Sequence, residues 1–378
     1  MHFTVNLNEI KNLTKTAIRG IAKKTENVDL LNFKLEAKDN KLQVTAINEY
    51  FLIKVYIEAD IVEEGIVYVN AKLLEDILKN IKGKTPLTCE KKEECLEIRF
   101  ENSTFKIKEE LVSDYPEFPN YEEEDWYELE AIELIESAKQ VGFSISSNEE
   151  RPILENVFLM TNKNMLEIVS SDAYRISNKR KRLETCSKDE SLMVKGDSII
   201  ELGRVLANYK KSEIKNKFRI GLSKKYMIVN LPNGVMLLTL MNGDYFNHKN
   251  FFKVKDCDKI AFDKEGMLEI LKKGKSLAKG LKDKNPIVDI DIKKEGIKVS
   301  VDVQGSNISE MLNINILSEA FNGGVISFNL NYLNDGISSI QCDRILMLYD
   351  KQNTPSIFEG VDNREYRYML MPVVKYNN

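Results

Sequence analysis

The feature that most constrains this chain is that it repeats itself three times. Leu42-Gln-Val-Thr-Ala46 returns as Leu166-Glu-Ile-Val-Ser170 and as Ile297-Lys-Val-Ser-Val301, at offsets of 124 and 131 residues. The end of a helix-like segment at Ile81 returns at Leu206 and Ile340, offset by 125 and 134. Two independent markers keeping nearly one stride define three copies of one small domain, because so long a stride exceeds any solenoid unit. At 378 residues each copy is long enough to bury its own core. The expected domains are 1–124, 125–252 and 253–378. Asp114-Tyr-Pro-Glu-Phe-Pro119 marks the first joint, since two prolines remove backbone donors, and the acidic run Glu122 to Asp125 follows it. The second joint lies near Phe251 to Asp258. Such a tandem suits a ring or a scaffold better than an enzyme.

Each copy opens with a short strand and an amphipathic helix. In the first, Ile10, Leu13, Ala17 and Ile21 fall at helical spacing and predict one buried stripe. Alternating strands follow at Asn32 to Ala37 and Lys41 to Ala46. A second strand-to-helix step runs from Ile66-Val-Tyr-Val69 into Leu74, Ile77, Leu78 and Ile81, so each copy is itself two halves. Alternation of apolar and polar residues suits antiparallel sheets with one covered face, and helices on that face give an α+β domain.

Several chemistries lack material. Met1-His-Phe-Thr-Val-Asn6 has no signal-peptide pattern, and the apolar stretch from Val235 to Met241 is too short to cross a bilayer. Five cysteines, odd in number and without a CxxC pair, read as reduced thiols, so a cytoplasmic location is expected. His2 is terminal, and His248 reads as a surface residue in a polar loop. Gly83-Lys84-Thr85 and Gly274-Lys275-Ser276 resemble the end of a P-loop, but the required earlier glycines are Leu78 and Glu269, inside expected helices. Asp289-Ile-Asp291 alternates along a strand and is a poor metal site. No nucleophile, base and orienting acid assemble, so no catalytic residue, metal or cofactor is assigned.

The net charge of −4 conceals an uneven distribution. Lys11, Lys15 and Arg19 are spaced four apart on the first helix, away from its apolar stripe, with Lys23 and Lys24 beyond. Lys72 and Lys79 belong to the next helix, Arg204 with Lys210 and Lys211 to the second copy, and Lys272, Lys275 and Lys279 to the third. Acidic residues gather in loops instead. On any one helix such cations are ordinarily a solvated face, but the same pattern on several equivalent helices points to a phosphate-facing surface. The helix from Ala131 to Ile145, with Glu133 and Glu136 against Lys139, departs from it.

Four segments then carry a resemblance. Met1-His-Phe-Thr-Val5, Ser171-Asp-Ala-Tyr-Arg-Ile176, Phe328-Asn-Leu-Asn-Tyr-Leu333 and Tyr368-Met-Leu-Met-Pro-Val373 stand in the order of signatures of the bacterial sliding clamps, the beta subunits of DNA polymerase III. The second is similar to the family's Thr-Asp-Gly-His-Arg-Leu. The resemblance covers essentially the full length. It implies a DNA clamp fold: three equivalent domains, helices lining an inner face and antiparallel sheets outside, two subunits closing a ring around duplex DNA. The implied role is a non-catalytic processivity factor tethering the replicative polymerase, with a clamp loader and other clamp-binding-motif proteins as further partners. A clamp-shaped partner-binding scaffold that has lost loading onto DNA is the alternative.

The resemblance also places sites. Lys24 matches a DNA-contacting arginine of the family. Phe105 and Ile107 are expected at a head-to-tail homodimer interface against Leu277 and Leu281, with internal core as the competing assignment. A partner-peptide pocket is expected from Leu154, Ser171, Ala173, Tyr174, Arg175 and Ile176, with Phe246 and Phe251, and with Met369, Leu370, Met371, Pro372 and Val373 from the last strand. Deleting Met369 to Val373 is expected to abolish peptide binding and spare the dimer. Three departures mark a diverged clamp. Tyr245-Phe-Asn-His248 replaces the family's Phe-Pro-Asp-Tyr, Gly196-Asp197 replaces a basic pair, and Val28-Asp-Leu-Leu31 replaces a proline-led apolar segment. With Phe246 where proline is usual, a shallower pocket with weaker affinity for the common family peptide is expected.

Overall fold

The computed structural model describes residues 1–378 except 23–24, 149, 210–216, 254–256, 320, 351–353 and 375–378. The described chain is built from one half-unit used six times: an opening strand, a helix, and a meander of three antiparallel strands. The helices are α1 (Leu7–Ala17), α2 (Ala71–Asn80), α3 (Ala131–Gly142), α4 (Gly196–Leu206), α5 (Lys264–Gly280) and α6 (Leu330–Ser339). The sequence repeat falls on the middle strand of every second meander, Lys41–Ile47, Met165–Ser171 and Gly296–Val303. Leu42, Leu166 and Ile297 are fully buried there, as are Val44 and Val299, with Ile168 nearly so. The repeat is therefore a core pattern. One strand face must be apolar in each copy, and the pleat places alternate residues on that face.

Four helices start at a side-chain cap. Asn6 Oδ1 accepts from Asn8 N at 2.9 Å, Asn70 Oδ1 from Leu73 N at 3.0 Å, Asp263 Oδ2 from Gly266 N at 2.6 Å and Asn329 Oδ1 from Asn331 N at 2.9 Å. Each cap satisfies one of the donors that a helix start leaves orphaned. The expected stripe on α1 is present at Ile10, Leu13 and Ala17, but Ile21 falls outside it. The helix passes into a short 3-10 turn, Ile18–Gly20, because the chain runs hard against the meander there. A Cβ on Gly20 would lie 2.5 Å from Ile53 Cγ2 and 2.9 Å from the Ala46 carbonyl oxygen.

Pairing interlaces the halves. The opening strand of one half joins the meander of the other half of the same repeat: His2–Val5 pairs with Leu87–Lys92, and Gly65–Asn70 pairs with Asn32–Lys38. The same exchange recurs between Glu124–Glu130 and Lys217–Leu222, and between Asp258–Asp263 and Arg344–Tyr349.

The described residues form two compact bodies. The first comprises Met1–Glu136, Leu183–Asp189 and Asp197–Met241, and the second Ser137–Arg182, Glu190–Gly196 and Asn242–Asn378. The middle repeat is thus shared between them. In the first body the strand Gly234–Met241 pairs antiparallel with Phe51–Glu58, which joins the meanders of two repeats into one ladder. Gly234 is needed at that seam: its φ is +155°, and a Cβ would sit 2.1 Å from the Lys54 carbonyl oxygen. In the second body Arg175–Arg182 pairs with Tyr366–Leu370 in the same manner. The core of the second body, around Phe262, Met267, Leu271, Phe328, Leu333 and Tyr368, lies beneath α5 and α6.

Candidate functional site

The cationic helix residues sort into two kinds. Lys11 is half-buried and donates through Nζ to the carbonyl of Ile81, at the end of α2, so its charge serves a helix terminus. Lys264 does the same for α6, donating to Ile340 O at 2.6 Å. Arg19 and Arg204 both approach Glu201, at 3.9 and 2.6 Å, and Lys79 pairs with Glu75 at 2.8 Å. Lys15, Lys72, Lys272, Lys275 and Lys279 form no ion pair among the described residues. The last three line an open depression of about 440 Å³ beside Asn334 and Ser338 of α6. Lys24, Lys210 and Lys211 lie outside the described residues.

The candidate interface residues occupy two places. Ser103–Lys108 is the outer strand of the first body's five-stranded sheet and, among the described residues, pairs only with Cys95–Phe100. Phe105 is half-buried on it, whereas Ile107 is 1% exposed and its side chain is core. Leu277 and Leu281 are half-buried and pack against the core of the second body. In that body Ser306–Leu312 is likewise an outer strand, pairing among the described residues only with Gly296–Val303.

The expected peptide residues all lie in the second body, and the pleat divides them. Met369 and Met371 fall on one face of the last strand, in a cluster with Val169, Ile176, Ile357, Phe158, Tyr245, Phe246, Phe252 and Leu348. Leu370, fully buried, points the other way into the main core with Tyr368. Aromatic rings wall the cluster: Phe158 and Tyr245 are stacked with centroids 5.3 Å apart, and Tyr245 and Phe246 are tilted with centroids 4.7 Å apart. Phe251 reaches Phe246 edge-on at 6.1 Å and remains 45% exposed. Leu154 is nearly buried and stands outside the cluster. Phe158, Val169, Tyr245, Phe252, Leu348 and Ile357 were not singled out from sequence. For Phe158, Val169, Leu348 and Ile357 alternation along strands was the signal, one shared with every core strand, whereas Tyr245 and Phe252 lie in a loop and a 3-10 turn that carry no such pattern.

Beside the cluster, the turn from Ser171 to Arg175 is held by its own side chains. Ser171 Oγ donates to Arg175 O at 2.8 Å, and Asp172 Oδ1 accepts from Tyr174 N at 3.0 Å and Arg175 N at 3.1 Å. Ala173 sits at φ +77°, in the left-handed region. Arg175 is buried and fully engaged. It donates to Asp172 at 2.8 Å, Asp335 at 3.1 Å and the Phe143 carbonyl at 2.6 Å, and lies 4.0 Å from the centre of the Tyr332 ring. It is thus a fixture of the wall, with each of its three nitrogens donating a hydrogen bond. Met371 N donates to Tyr174 O at 2.8 Å and Val373 N to Ser327 O at 2.7 Å, which pins the chain through half-buried Pro372.

His248, read from sequence as a surface residue, is 4% exposed. Its Nε2 lies 3.3 Å from Glu167 Oε1, and its ring sits 5.9 Å from Phe158. The loop places it under the aromatic wall, which local polarity could not reveal. Burial alone would raise the Glu167 pKa, but His248 and Asn178 together hold the carboxyl below its usual range. Asp289 accepts from Ser327 Oγ at 2.6 Å and Asp291 pairs with Lys293 at 2.8 Å. Among the described residues no group of three or more His, Cys, Asp or Glu is placed to hold a metal, and no helix is long and apolar enough to cross a membrane.

Three repeats of interlaced α+β halves, with cations on equivalent helices, define a DNA clamp fold. Comparison with known proteins agrees along the whole chain. Residues 1–121, 128–247 and 255–374 match the N-terminal, central and C-terminal domains of the DNA polymerase III beta subunit. The chain is 21% identical to a beta sliding clamp of Staphylococcus epidermidis over 100% of both chains. It superposes on the DNA polymerase III beta subunit of Thermotoga maritima with a TM-score of 0.90 at 19% identity, covering 99% of this chain and 100% of that one. For the DNA polymerase sliding clamp of Bacillus subtilis the TM-score is 0.89 at 18% identity, with both chains fully covered. The chain belongs to the DNA polymerase III beta-subunit family, the bacterial sliding clamps, whose members are processivity factors and not catalysts.

Proposed function

We propose that two copies of this chain close head to tail into a ring around duplex DNA and tether a replicative polymerase to it. Each copy would contribute three domains, 1–124, 125–252 and 253–378. The observation that carries this reading is the set of lysines without ion pairs on equivalent helices, Lys15, Lys72, Lys272, Lys275 and Lys279. Long, mobile cations attract phosphates without reading bases, which lets a ring slide. The free outer strands Ser103–Lys108 and Ser306–Leu312 supply backbone donors and acceptors at which one copy would add to the next, and two such contacts close a ring. The test is retention on DNA after loading by a clamp loader. Nicked circular DNA should keep the protein, linear DNA should lose it at free ends, and primer extension by the polymerase should lengthen. Equal retention on both templates would contradict encirclement.

The apolar cluster of the second body supports a docking place for short partner segments with leucine and phenylalanine anchors, shared by polymerase, loader and other clamp-binding proteins. Met371, half-buried at the end of a strand and followed by proline, offers an adaptable side chain to such anchors. Phe246, tilted against Tyr245 with ring centroids 4.7 Å apart, occupies space that proline would leave open, so the common family peptide should bind here more weakly than to its relatives.

A further inference from the structure

Beside the apolar cluster, the same four strands form a second depression of about 410 Å³. The pleat makes the two continuous. Phe158, Val169, Ile176 and Met369 face the cluster, and two residues along each strand stand Met160, Glu167, Asn178 and Arg367, which line the depression. Two residues along a strand is roughly 7 Å. Phe252 belongs to both. Around the rim stand Arg180, Lys249 and Lys253, all exposed and without an ion pair among the described residues, and Arg367, which pairs with Glu359 at 2.8 Å. The floor is of opposite character. Glu167 and Asn178 are 6% and 4% exposed, Asn178 Nδ2 donates to Glu167 Oε1 at 2.7 Å, and Asn178 Oδ1 has no hydrogen-bond partner among the described residues.

We propose that this depression is a second subsite for the docked partner segment, taking acidic residues two to three positions beyond its apolar anchors. The proposal rests on the peptide-docking reading of the neighbouring cluster. An extended peptide continuing from the apolar anchors offers what the depression lacks, carboxylates for the three rim cations. Its rise of about 3.3 Å per residue bridges the gap in two residues. A nucleic-acid strand fits less well, because the depression runs on through Phe252 and Met160 from the apolar cluster that the anchors of a peptide would fill.

The test uses the full chain and two labelled synthetic peptides sharing leucine and phenylalanine anchors, one continuing in glutamates and the other in glutamines. By fluorescence anisotropy at low salt, the glutamate peptide should bind about five- to tenfold tighter, and the gap should close as salt rises. In the double variant Arg180→Gln/Lys253→Gln the advantage should vanish while the glutamine peptide binds as before. That unchanged affinity reports an intact fold, and the salt titration of the unaltered chain stands independently of the variant. If both peptides bind equally at all salt concentrations, the subsite is refuted and the apolar docking site survives. Binding of neither peptide refutes both. A short single-stranded oligonucleotide that displaces the glutamate peptide, and loses this ability in the double variant, would assign the depression to nucleic acid and overturn the proposal.

Discussion

Ala173 holds a backbone conformation that a side chain opposes. Its φ of +77° crowds Cβ against the backbone, at a cost of about 1–2 kcal/mol that glycine avoids. Glycine loses more entropy on folding, so Ala173→Gly should stabilise by a net of about 0.5 kcal/mol and raise Tm by about 1–2 °C in a thermal melt. A lower Tm would mean that the Ala173 methyl makes contacts worth more than its strain. The two methionines of the last strand separate in the same way. Met369 is 2% exposed, and Met369→Ala should cost about 2–4 kcal/mol of stability. Met371 is half-buried at the rim, and Met371→Ala should leave the melt nearly unchanged while weakening an anchor peptide about tenfold or more in an anisotropy titration. The deletion of Met369 to Val373 expected to spare the dimer is therefore the wrong experiment. It removes buried Met369 and Leu370 from a strand that pairs on both sides, and the second body would not survive it.

At the level of elements, the outer strand Ser103–Lys108 carries the clearest consequence. Phe105→Lys puts a charge on an unpaired edge, the device by which natural sheets discourage strand addition. Light scattering at micromolar concentration should find a dimer for the unaltered chain and a monomer for the variant, with unchanged far-ultraviolet dichroism. Ile107→Lys would not discriminate, since that side chain is core. Element identity was largely legible from sequence, because helix stripes and strand alternation are local: Leu42, Leu166 and Ile297 mark one core face three times. What escaped is what depends on distant segments. Ile21 left its stripe because Gly20 meets Ile53, and His248 is buried because the loop folds onto Glu167. Lys11, expected as a DNA contact, also donates to the Ile81 carbonyl, a partner 70 residues away that no spacing rule predicts. The charge pattern on Lys15, Lys72 and Lys272 needed no such partner, and its placement on helices could be read directly.

For the molecule as a whole, salt dependence would measure how many phosphates the proposed ring meets. Each lysine removed from the set Lys15, Lys72, Lys272, Lys275 and Lys279 should lower the slope of log affinity against log salt by about one unit, equally on any DNA sequence. Lys11→Gln should leave that slope unchanged and lower Tm instead. The interlacing of strands also bears on how the protein is made. Synthesis runs from the amino terminus, and domains tend to fold as they emerge. Here Arg175–Arg182 leaves the ribosome long before its partner Tyr366–Leu370, and Ser177 must wait for a tyrosine hydroxyl 189 residues downstream. Meanwhile the first body can close only once Gly234–Met241 has been delivered to Phe51–Glu58. The middle third of the nascent chain thus travels with one strand, Arg175–Arg182, bare along the edge that Tyr366–Leu370 later covers. During that interval it is open to capture by a chaperone, or by the same strand of a neighbouring nascent chain.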